Sequence, residues 1–222
     1  MSTVFTVLEL IGIVSFSISG AIMAIDKEND VFGVVFISLI TSFGGGIIRD
    51  ILIGNIPPVV FVNYIWGIIA LATSLSVFLL AAVFKKQYVK NEAFVAAVNN
   101  YVDALGLGVF VVSGAKLCLG FTHNPMIIIV MGIISGTGGS VLRDVLLREM
   151  PYVLKKRIYV VAAFSGAVLY YLLLSSGVKD VIAMPLGAIL IVVIRICATV
   201  FKWNMPKAID FDKLRNSENK NQ

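Results

Sequence analysis

Apolar residues dominate seven stretches of the chain, and each stretch has about the 20 residues that a helix needs to cross a bilayer. Short polar breaks separate them, and none of the breaks is long enough to hold a second domain. The pattern therefore predicts an all-α integral membrane protein with seven transmembrane helices. The predicted spans are Val4–Ile25, Val31–Ile53, Val59–Phe84, Phe94–Leu119, Pro125–Leu147, Ile158–Ser175 and Val181–Phe201.

The composition supports this class and excludes several others. Of the 222 residues, 59% are hydrophobic and 14% are charged, whereas a soluble domain is closer to a quarter charged. A soluble enzyme, a DNA-binding module and a secreted disulfide scaffold are poor fits, and Cys118 and Cys197 lie in apolar runs as expected of core thiols. We expect a single transmembrane domain over residues 1–202. The polar tail, residues 203–222, should be cytoplasmic and partly disordered.

The lysines and arginines of the connections indicate the orientation of the chain. The first, third and fifth connections share one side with the tail, and that side has thirteen of these residues, from Lys27 to Lys220. The loops of the opposite side have only Lys179. Because cytoplasmic loops are enriched in positive charge, we expect the N-terminus outside and the C-terminus in the cytoplasm. The same asymmetry explains the net charge of +5 without a nucleic-acid partner.

The chain contains an internal repeat. An offset of 94 residues aligns positions 9–58 with 103–152 without a gap and with twelve identities in fifty. Ser19-Gly20-Ala21 meets Ser113-Gly114-Ala115, and Arg49-Asp50 meets Arg143-Asp144. Repeat one covers about residues 4–84, repeat two about 94–175, and the seventh helix, about 181–201, lies outside both.

Each repeat has three spans, so the second copy enters the membrane from the opposite side and the two copies form an inverted-topology repeat. This symmetry suits channels and transporters, which need a path between two similar halves. The alternative is that duplication only doubled a stable three-helix unit.

Glycines cluster within the second and fifth helices. Adjacent glycines weaken a helix by about 1 kcal/mol each relative to alanine, which allows a kink or break that lines a polar path. The alternative is close packing of helices through small residues. The glycines in question are Gly44, Gly45, Gly46, Gly138 and Gly139.

Ionisable residues within the spans are costly unless they are paired or hydrated. Their depth along the helices predicts two ion pairs, Glu9–Arg49 near the outer face and Asp103–Arg143 near the inner face. The following aspartates should cap helices or compete for the same arginines. These charges either hold the bundle together or form a charged ring at each mouth of a path. The six residues are Glu9, Arg49, Asp50, Asp103, Arg143 and Asp144.

Two further cations have no counterpart in the repeat. Lys116 is expected deep in the fourth helix without an acidic neighbour in sequence, either as a gate or with its ammonium extended to the outer interface. Arg195 is expected to extend to the cytoplasmic interface. The sequence has no nucleophile–base arrangement, metal cluster or phosphate loop, so we do not expect an enzyme.

Three segments now identify a resemblance: Gly44-Gly45-Gly46-Ile47-Ile48-Arg49-Asp50, its echo over residues 138–144, and Asp103-Ala104-Leu105-Gly106-Leu107-Gly108. From about residue 4 to 201 the chain resembles prokaryotic members of the trimeric intracellular cation (TRIC) channel family. The resemblance implies a homotrimer in the plasma (inner) membrane of a prokaryote, with a pore for monovalent cations, mainly potassium, in each protomer. The glycines would be hinges of the pore helices, and the implied lining is Thr41, Ser42, Ser135, Thr137 and Ser140.

The bacterial sequences of this family are also described as glycine transporters, so glycine or small amino acid transport is the alternative function. Arg49 would suit the carboxylate of a glycine zwitterion and Asp50 its ammonium group. A third hypothesis is a membrane scaffold with a basic cytoplasmic face. We expect no cofactor besides the permeant potassium ion and bound lipid, and as partners only further copies of the chain and membrane lipid.

Overall fold

The computed structural model describes residues 3–155 and 158–203. Over these residues the chain forms ten helices and no strand, and seven of the helices are long and apolar enough to cross a membrane. The predicted fold class is therefore confirmed, whereas the predicted tail lies almost entirely outside the described residues. The helices are α1 (Thr3–Ile25), α2 (Val31–Leu52), α3 (Val59–Val62), α4 (Tyr64–Val83), α5 (Lys85–Lys90), α6 (Glu92–Cys118), α7 (Pro125–Leu146), α8 (Tyr152–Lys155), α9 (Ile158–Ser175) and α10 (Asp180–Val200).

The third span differs from its prediction because the chain breaks at Asn63. This residue has an extended backbone, and its side-chain oxygen accepts the N–H of Ile65 at 3.2 Å, which caps α4. Because Asn63 lies within a long apolar run, α3 and α4 were predicted as one span, Val59–Phe84. Two short helices, α5 and α8, also lie where only polar breaks were predicted.

The second spans of the two repeats begin with matching caps. Asp30 accepts the N–H of Gly33 at 2.8 Å and starts α2. Asn124, at the matching position of repeat two, accepts the N–H of Met126 at 3.0 Å and starts α7, with Pro125 in the first turn. Both side chains satisfy amide groups that the first helical turn leaves without partners. The repeat is therefore visible in local structure as well as in identities.

Helix packing follows the repeat. The first spans, α1 and α6, pack on each other, and the second spans, α2 and α7, do the same. The third spans lie on the flanks, with α4 on α1 and α2, and α9 on α7 and α6. The seventh span, α10, covers repeat two by packing on α6 and α9. These contacts give the arrangement expected of two inverted copies related by a pseudo-two-fold axis.

Reciprocal contacts between α1 and α6 mark where this axis passes. The rings of Phe16 and Phe110, which occupy matching positions, lie 5.2 Å apart. A Cβ atom at Gly106 would lie 2.1 Å from the Phe16 ring, and one at Gly12 would lie 3.0 Å from the Phe110 ring. Each ring thus fills the space left by the glycine of the other repeat.

The glycine clusters pack α2 against α7 at close range. A Cβ atom at Gly45 would lie 2.2 Å from the carbonyl oxygen of Ser135, and one at Gly139 would lie 2.0 Å from that of Thr41. Both helices are continuous through these clusters. Neither helix is therefore broken, and Gly45 and Gly139 pack the two helices closely, as the alternative predicts. The hinge role of Gly44, Gly45, Gly46, Gly138 and Gly139 during conduction stays a prediction.

Candidate functional site

A buried charge cluster lies where α6 and α7 of repeat two meet α1, and we call it the repeat-two cluster: Asp103, Arg143, Asp144 and Arg195. Arg143 is fully buried, and its Nη1 lies 3.3 Å from Asp103 Oδ1. Nη1 also donates to Ser19 Oγ at 2.8 Å, and Nε donates to Asp144 Oδ1 at 2.8 Å. The predicted Asp103–Arg143 pair is therefore confirmed.

Arg195 joins this cluster from α10, which corrects the expectation that it extends to the cytoplasmic interface. The residue is 2% exposed, and its Nη2 lies 3.6 Å from Asp103 Oδ2. Its guanidinium lies over the ring of Tyr159, 4.6 Å from the centroid. A buried carboxylate and an aromatic face both attract a guanidinium, and together they hold Arg195 inside the bundle.

The matching residues of repeat one form a second cluster, the repeat-one cluster: Glu9, Arg49 and Asp50. Arg49 is 4% exposed; its Nε donates to Asp50 Oδ1 at 2.9 Å, and its Nη1 donates to Ser135 Oγ at 3.0 Å. Among the described residues no lysine or arginine nitrogen lies within 4.0 Å of the Glu9 carboxylate. The predicted Glu9–Arg49 ion pair is wrong, because Arg49 is held by its neighbour Asp50.

Both aspartates also cap the short helices that follow, as predicted. Asp50 Oδ2 accepts the N–H of Val59 at 2.9 Å, and Asp144 Oδ2 accepts the N–H of Tyr152 at 2.9 Å. The two acceptors match in the repeat but the donors differ by one position, since the counterpart of Tyr152 is Pro58, which has no N–H. Each Arg-Asp motif therefore uses its aspartate twice, once for the arginine and once for a helix start.

A small cavity adjoins the repeat-one cluster. It has a volume of about 50 Å³ and is bounded in part by Glu9, Ser42, Gly46, Arg49 and Asp50. Gly46 helps to keep it open, because a Cβ atom there would meet only Arg49 Nη2, at 3.6 Å. Glu9 Oε1 is buried and has no hydrogen-bond partner in the described part of the chain. The cavity thus combines a guanidinium with two carboxylates, one of which is unpaired.

Lys116 does not lie deep in its helix as expected, but at the helix end, where its ammonium can reach the interface as the alternative has it. It occupies the last turn of α6, with its side chain 38% exposed, and forms an ion pair with Asp180 at the start of α10. Asp180 also accepts the hydroxyl of Tyr170 at 2.9 Å. Because the acid is 64 residues away in sequence, no partner for Lys116 could be predicted from its neighbours along the chain. Its role as a gate stays a prediction.

The hydroxyls predicted to line a pore have different surroundings. Ser42 borders the cavity and bonds to Ser17 at 2.8 Å, and Ser135 accepts from Arg49. Ser140 lies 3.0 Å from the hydroxyl of Tyr159. Thr41 and Thr137 each donate to a carbonyl one turn earlier in their own helix, at 2.6 and 2.8 Å. Their role in an ion path stays a prediction.

The sequence missed several polar partners of the clusters. Ser19 donates to Asn99 Oδ1 at 2.7 Å and accepts from Arg143, and Tyr159 lies under Arg195. Ser113 is fully buried beside Glu9, although its Oγ meets no partner at normal hydrogen-bond distance and angle among the described residues. The identity of Ser19 and Ser113 within the repeat was the available signal for both serines.

Outside the spans, the turn after α1 has a perturbed carboxyl. As a residue Asp26 is exposed, but its carboxyl lies against α5, where it accepts the hydroxyl of the partly buried Tyr88 at 2.9 Å. Burial raises the pKa of Asp26 above its ordinary value of 3.8, and the Tyr88 hydrogen bond offsets part of this rise. The pKa of Tyr88 is raised too, by burial and by the nearby carboxylate. The next residue, Lys27, pairs with Glu149 beyond α7, so this turn connects both repeats.

Known proteins share this sequence over both repeats. The chain matches the model of the family described as Glycine transporter over residues 6–82 and 100–175. The UPF0126 membrane protein YvgT of Bacillus subtilis (strain 168) is 33% identical, over 90% of this chain and 94% of its own. The UPF0126 inner membrane protein YadS of Escherichia coli (strain K12) is 31% identical, over 89% of this chain and 92% of its own.

A solved structure shares the fold as well. The TRIC trimeric intracellular cation channel orthologue from Rhodobacter sphaeroides superposes with a TM-score of 0.82 and 30% identity, over 91% of this chain and all of its own, 100%. The chain therefore belongs to the family whose sequence model is described as Glycine transporter, and the solved structures that it resembles are those of TRIC channels.

Proposed function

We propose that the protein is a channel for monovalent cations, potassium above all, with a path through each protomer of a homotrimer. The observation that carries the proposal is the pair of buried charge clusters placed by the inverted repeat on either side of the α2–α7 crossing. The solved relative from Rhodobacter sphaeroides, named a trimeric intracellular cation channel, supports both the activity and the trimer. The path would follow α2 and α7, lined by their hydroxyls.

The arrangement of the arginines removes an obstacle to cation passage. A free guanidinium beside the path would repel cations, but Arg49 and Arg143 each bind the aspartate that follows them. Their fields are thereby reduced, and carboxylate, hydroxyl and carbonyl oxygens are left to replace the water around an ion. In this proposal Gly46 and Ser140 border the path where the two repeats differ, and Lys116 gates it by leaving Asp180.

We place the N-terminus outside and the C-terminus in the cytoplasm. The thirteen lysines and arginines on one side, against one on the other, support this orientation. The name of the Escherichia coli relative, an inner membrane protein, supports the plasma membrane as the location. Residues 1–202 form one transmembrane domain in this proposal, with lipid around it and a cytoplasmic tail.

Glycine transport is the second candidate, and one observation favours it beyond the family description. The cavity at the repeat-one cluster has Arg49 for a carboxylate and the carboxylates of Glu9 and Asp50 for an ammonium group. An inverted repeat with a site between its halves also suits alternating access. A channel and a transporter differ in whether flux is electrical and passive or saturable and coupled.

Unitary currents separate the two functions. Purified protein in a planar bilayer under a KCl gradient should give single-channel currents that reverse near the potassium equilibrium potential and do not change with glycine. Liposomes loaded with labelled glycine should then show no saturable counterflow. Counterflow without unitary current would contradict the channel and make Arg49 and Asp50 ligands of the substrate.

A further inference from the structure

The two clusters place carboxylates at matching positions of the repeat. Glu9 and Asp103 are separated by the repeat offset of 94 residues and lie in α1 and α6, the first spans. Each lies near a serine from the first span of the other repeat. Ser113 is beside Glu9, and Ser19 shares the Nη1 of Arg143 with Asp103. The symmetry therefore builds the same oxygen-rich position twice.

In repeat two a guanidinium fills this position. Arg195 Nη2 is 3.6 Å from Asp103 Oδ2, while Arg143 Nη1 lies 3.3 Å from the other oxygen. The carboxylate is thus enclosed by two cations and fully buried. With Asp144 included, two arginines face two aspartates, and the repeat-two cluster is neutral.

In repeat one the same position is open. Glu9 Oε1 and Ser113 Oγ lie side by side and are both buried, but neither meets a hydrogen-bond partner at normal distance and angle in the described part of the chain. The same holds for Asp103 Oδ2 and Arg195 Nη2 in repeat two, so the two positions differ in the cation near the carboxylate and not in hydrogen bonding. Arg49 is held by Asp50 and Ser135, so one arginine faces two carboxyl groups, and the cluster is negatively charged when Glu9 is ionised. A buried carboxylate without a cation is costly in a low-dielectric interior.

The difference comes from α10. This helix lies outside the repeat and packs on α6 and α9, which brings Arg195 to Asp103. Among the described helices only α2, of the same repeat, packs on both α1 and α4, so nothing delivers a matching arginine to Glu9. The asymmetry of charge is therefore built into the chain and does not depend on a bound ligand.

We propose that Glu9 and Ser113 form a binding site for one small monovalent cation, and that Arg195 is a tethered cation that fills the matching site at Asp103. The inference deepens the proposed channel, on which it rests for the role of the ion. Carboxylate and hydroxyl oxygens are ligands that alkali cations accept, and a single unpaired carboxylate matches a single charge. The adjoining cavity of about 50 Å³ has room for the ion's remaining water.

Potassium binding is tested first by stability, independently of flux. The unfolding temperature of the full-length protein in detergent is followed as KCl replaces N-methylglucamine chloride at constant ionic strength. A cation that binds the folded state raises this temperature in a saturable way. The wild type should show one saturable phase, and Glu9→Gln should shift its midpoint upward about tenfold or more, because removing one member of a buried charge pair costs at least that factor.

Glu28→Gln is the matched control, since it makes the same chemical change in the exposed turn after α1. It should behave as the wild type. A Glu9→Gln protein with the potassium dependence of the wild type would overturn the site. So would a Glu28→Gln protein that loses this dependence together with Glu9→Gln, because the effect would then be one of overall charge.

The tethered cation is tested by Arg195→Gln, which should add a second potassium-dependent phase by uncovering Asp103. Arg195→Lys keeps the charge and should keep the single phase. Because Arg195→Gln removes a buried partner, the folded fraction is checked first by gel filtration. If Arg195→Gln does not fold, Asp103→Asn is used instead. Its unfolding temperature should depend on potassium with the same midpoint as that of the wild type. Loss of this dependence would show that potassium binds at Asp103 and would overturn the assignment of Arg195.

Conductance then separates this inference from the channel itself. Glu9→Gln should raise the potassium concentration at which unitary current is half-maximal by the factor found in the stability titration. A wild type that binds potassium but passes no current contradicts the channel and supports the site. A wild type that passes current, with Glu9→Gln unchanged in both assays, supports the channel and overturns the site.

Discussion

The repeat-one and repeat-two clusters start from the same motif and end in different states. Both contain an Arg-Asp pair at the end of a second span, and in both the aspartate also starts a short helix. In repeat two the acid of the first span is enclosed by Arg143 and Arg195, whereas in repeat one Glu9 has no cation partner among the described residues. The repeat therefore explains the arrangement that the two clusters share, and α10, which lies outside the repeat, explains why their charges differ.

The α2–α7 crossing shows the opposite behaviour, since there the two halves remain alike. Gly45 and Gly139 approach the carbonyls of Ser135 and Thr41 at nearly the same distance. Where two helix backbones touch, a larger residue cannot replace glycine in either repeat. The charge of a cluster, in contrast, changes when a neighbouring helix contributes an arginine, as α10 does. Shape is therefore conserved within this molecule where it is most crowded, and charge is not.

The largest effect is expected at the crossing. Gly45→Ala and Gly139→Ala should each destabilise the protein by about 3 kcal/mol or more, because the new Cβ atom would lie within 2.2 Å of a carbonyl oxygen that cannot move without shifting a helix. Unfolding temperature in detergent measures this loss. Gly67→Ala in α4 is the control: no atom lies within 4 Å of its Cβ position, so it should be neutral or slightly stabilising. Clearly different losses of stability in the two variants would contradict the equivalence of the two halves of the crossing.

The next largest effect is the difference in stability between variants of Arg143 and of Arg49. Arg143→Gln leaves the buried Asp103 and Asp144 without their shared partner and should cost about 3 kcal/mol or more. Arg49→Gln removes one partner of Asp50, which keeps the N–H of Val59, and does not break a Glu9 ion pair. It should therefore cost less. Unfolding temperatures of both variants in one buffer give the comparison, and an equal or larger loss for Arg49→Gln would contradict it.

The smallest effect concerns the turn after α1, where repeat two has Gly120 in place of Asp26. Burial raises the pKa of folded Asp26 above 3.8, so the folded state binds the proton more tightly than the unfolded chain does. Stability should then fall as pH rises from 3.8 through the raised pKa. Asp26→Asn removes this fall and retains an oxygen for Tyr88, so its advantage over the wild type should grow across that window and then level off.

Thermal unfolding between pH 3 and pH 7, about the range over which a raised aspartate titrates, measures the Asp26 effect. Tyr88→Phe removes the hydrogen bond that offsets the rise in the pKa of Asp26, so the pH window should extend upward. An advantage of Asp26→Asn that does not vary with pH would show that the titration of Asp26 contributes nothing.

Much of the architecture could be predicted because the lengths of the apolar spans, the internal repeat and the glycine clusters can all be read directly from the sequence. The Asp103–Arg143 pair followed from depth along two neighbouring helices. Two errors concern residues that are far apart in sequence but in contact in the fold. Asp180 pairs with Lys116 from 64 residues away, and Arg195 of α10 lies inside the bundle beside Asp103. The wrong prediction of a Glu9–Arg49 pair has a different cause: Arg49 had two acids within reach, Glu9 and Asp50, and the sequence alone does not show which one it binds.

The most direct test of the unlike halves is the unfolding temperature of Glu9→Gln and Asp103→Asn in buffer without alkali cations. Glu9→Gln removes an unpaired buried charge and should leave the temperature unchanged or raise it. Asp103→Asn leaves Arg143 and Arg195 facing each other and should lower it by roughly 6 °C or more. Equal losses in the two variants would contradict the account, because they would mean that Glu9 is as firmly paired as Asp103.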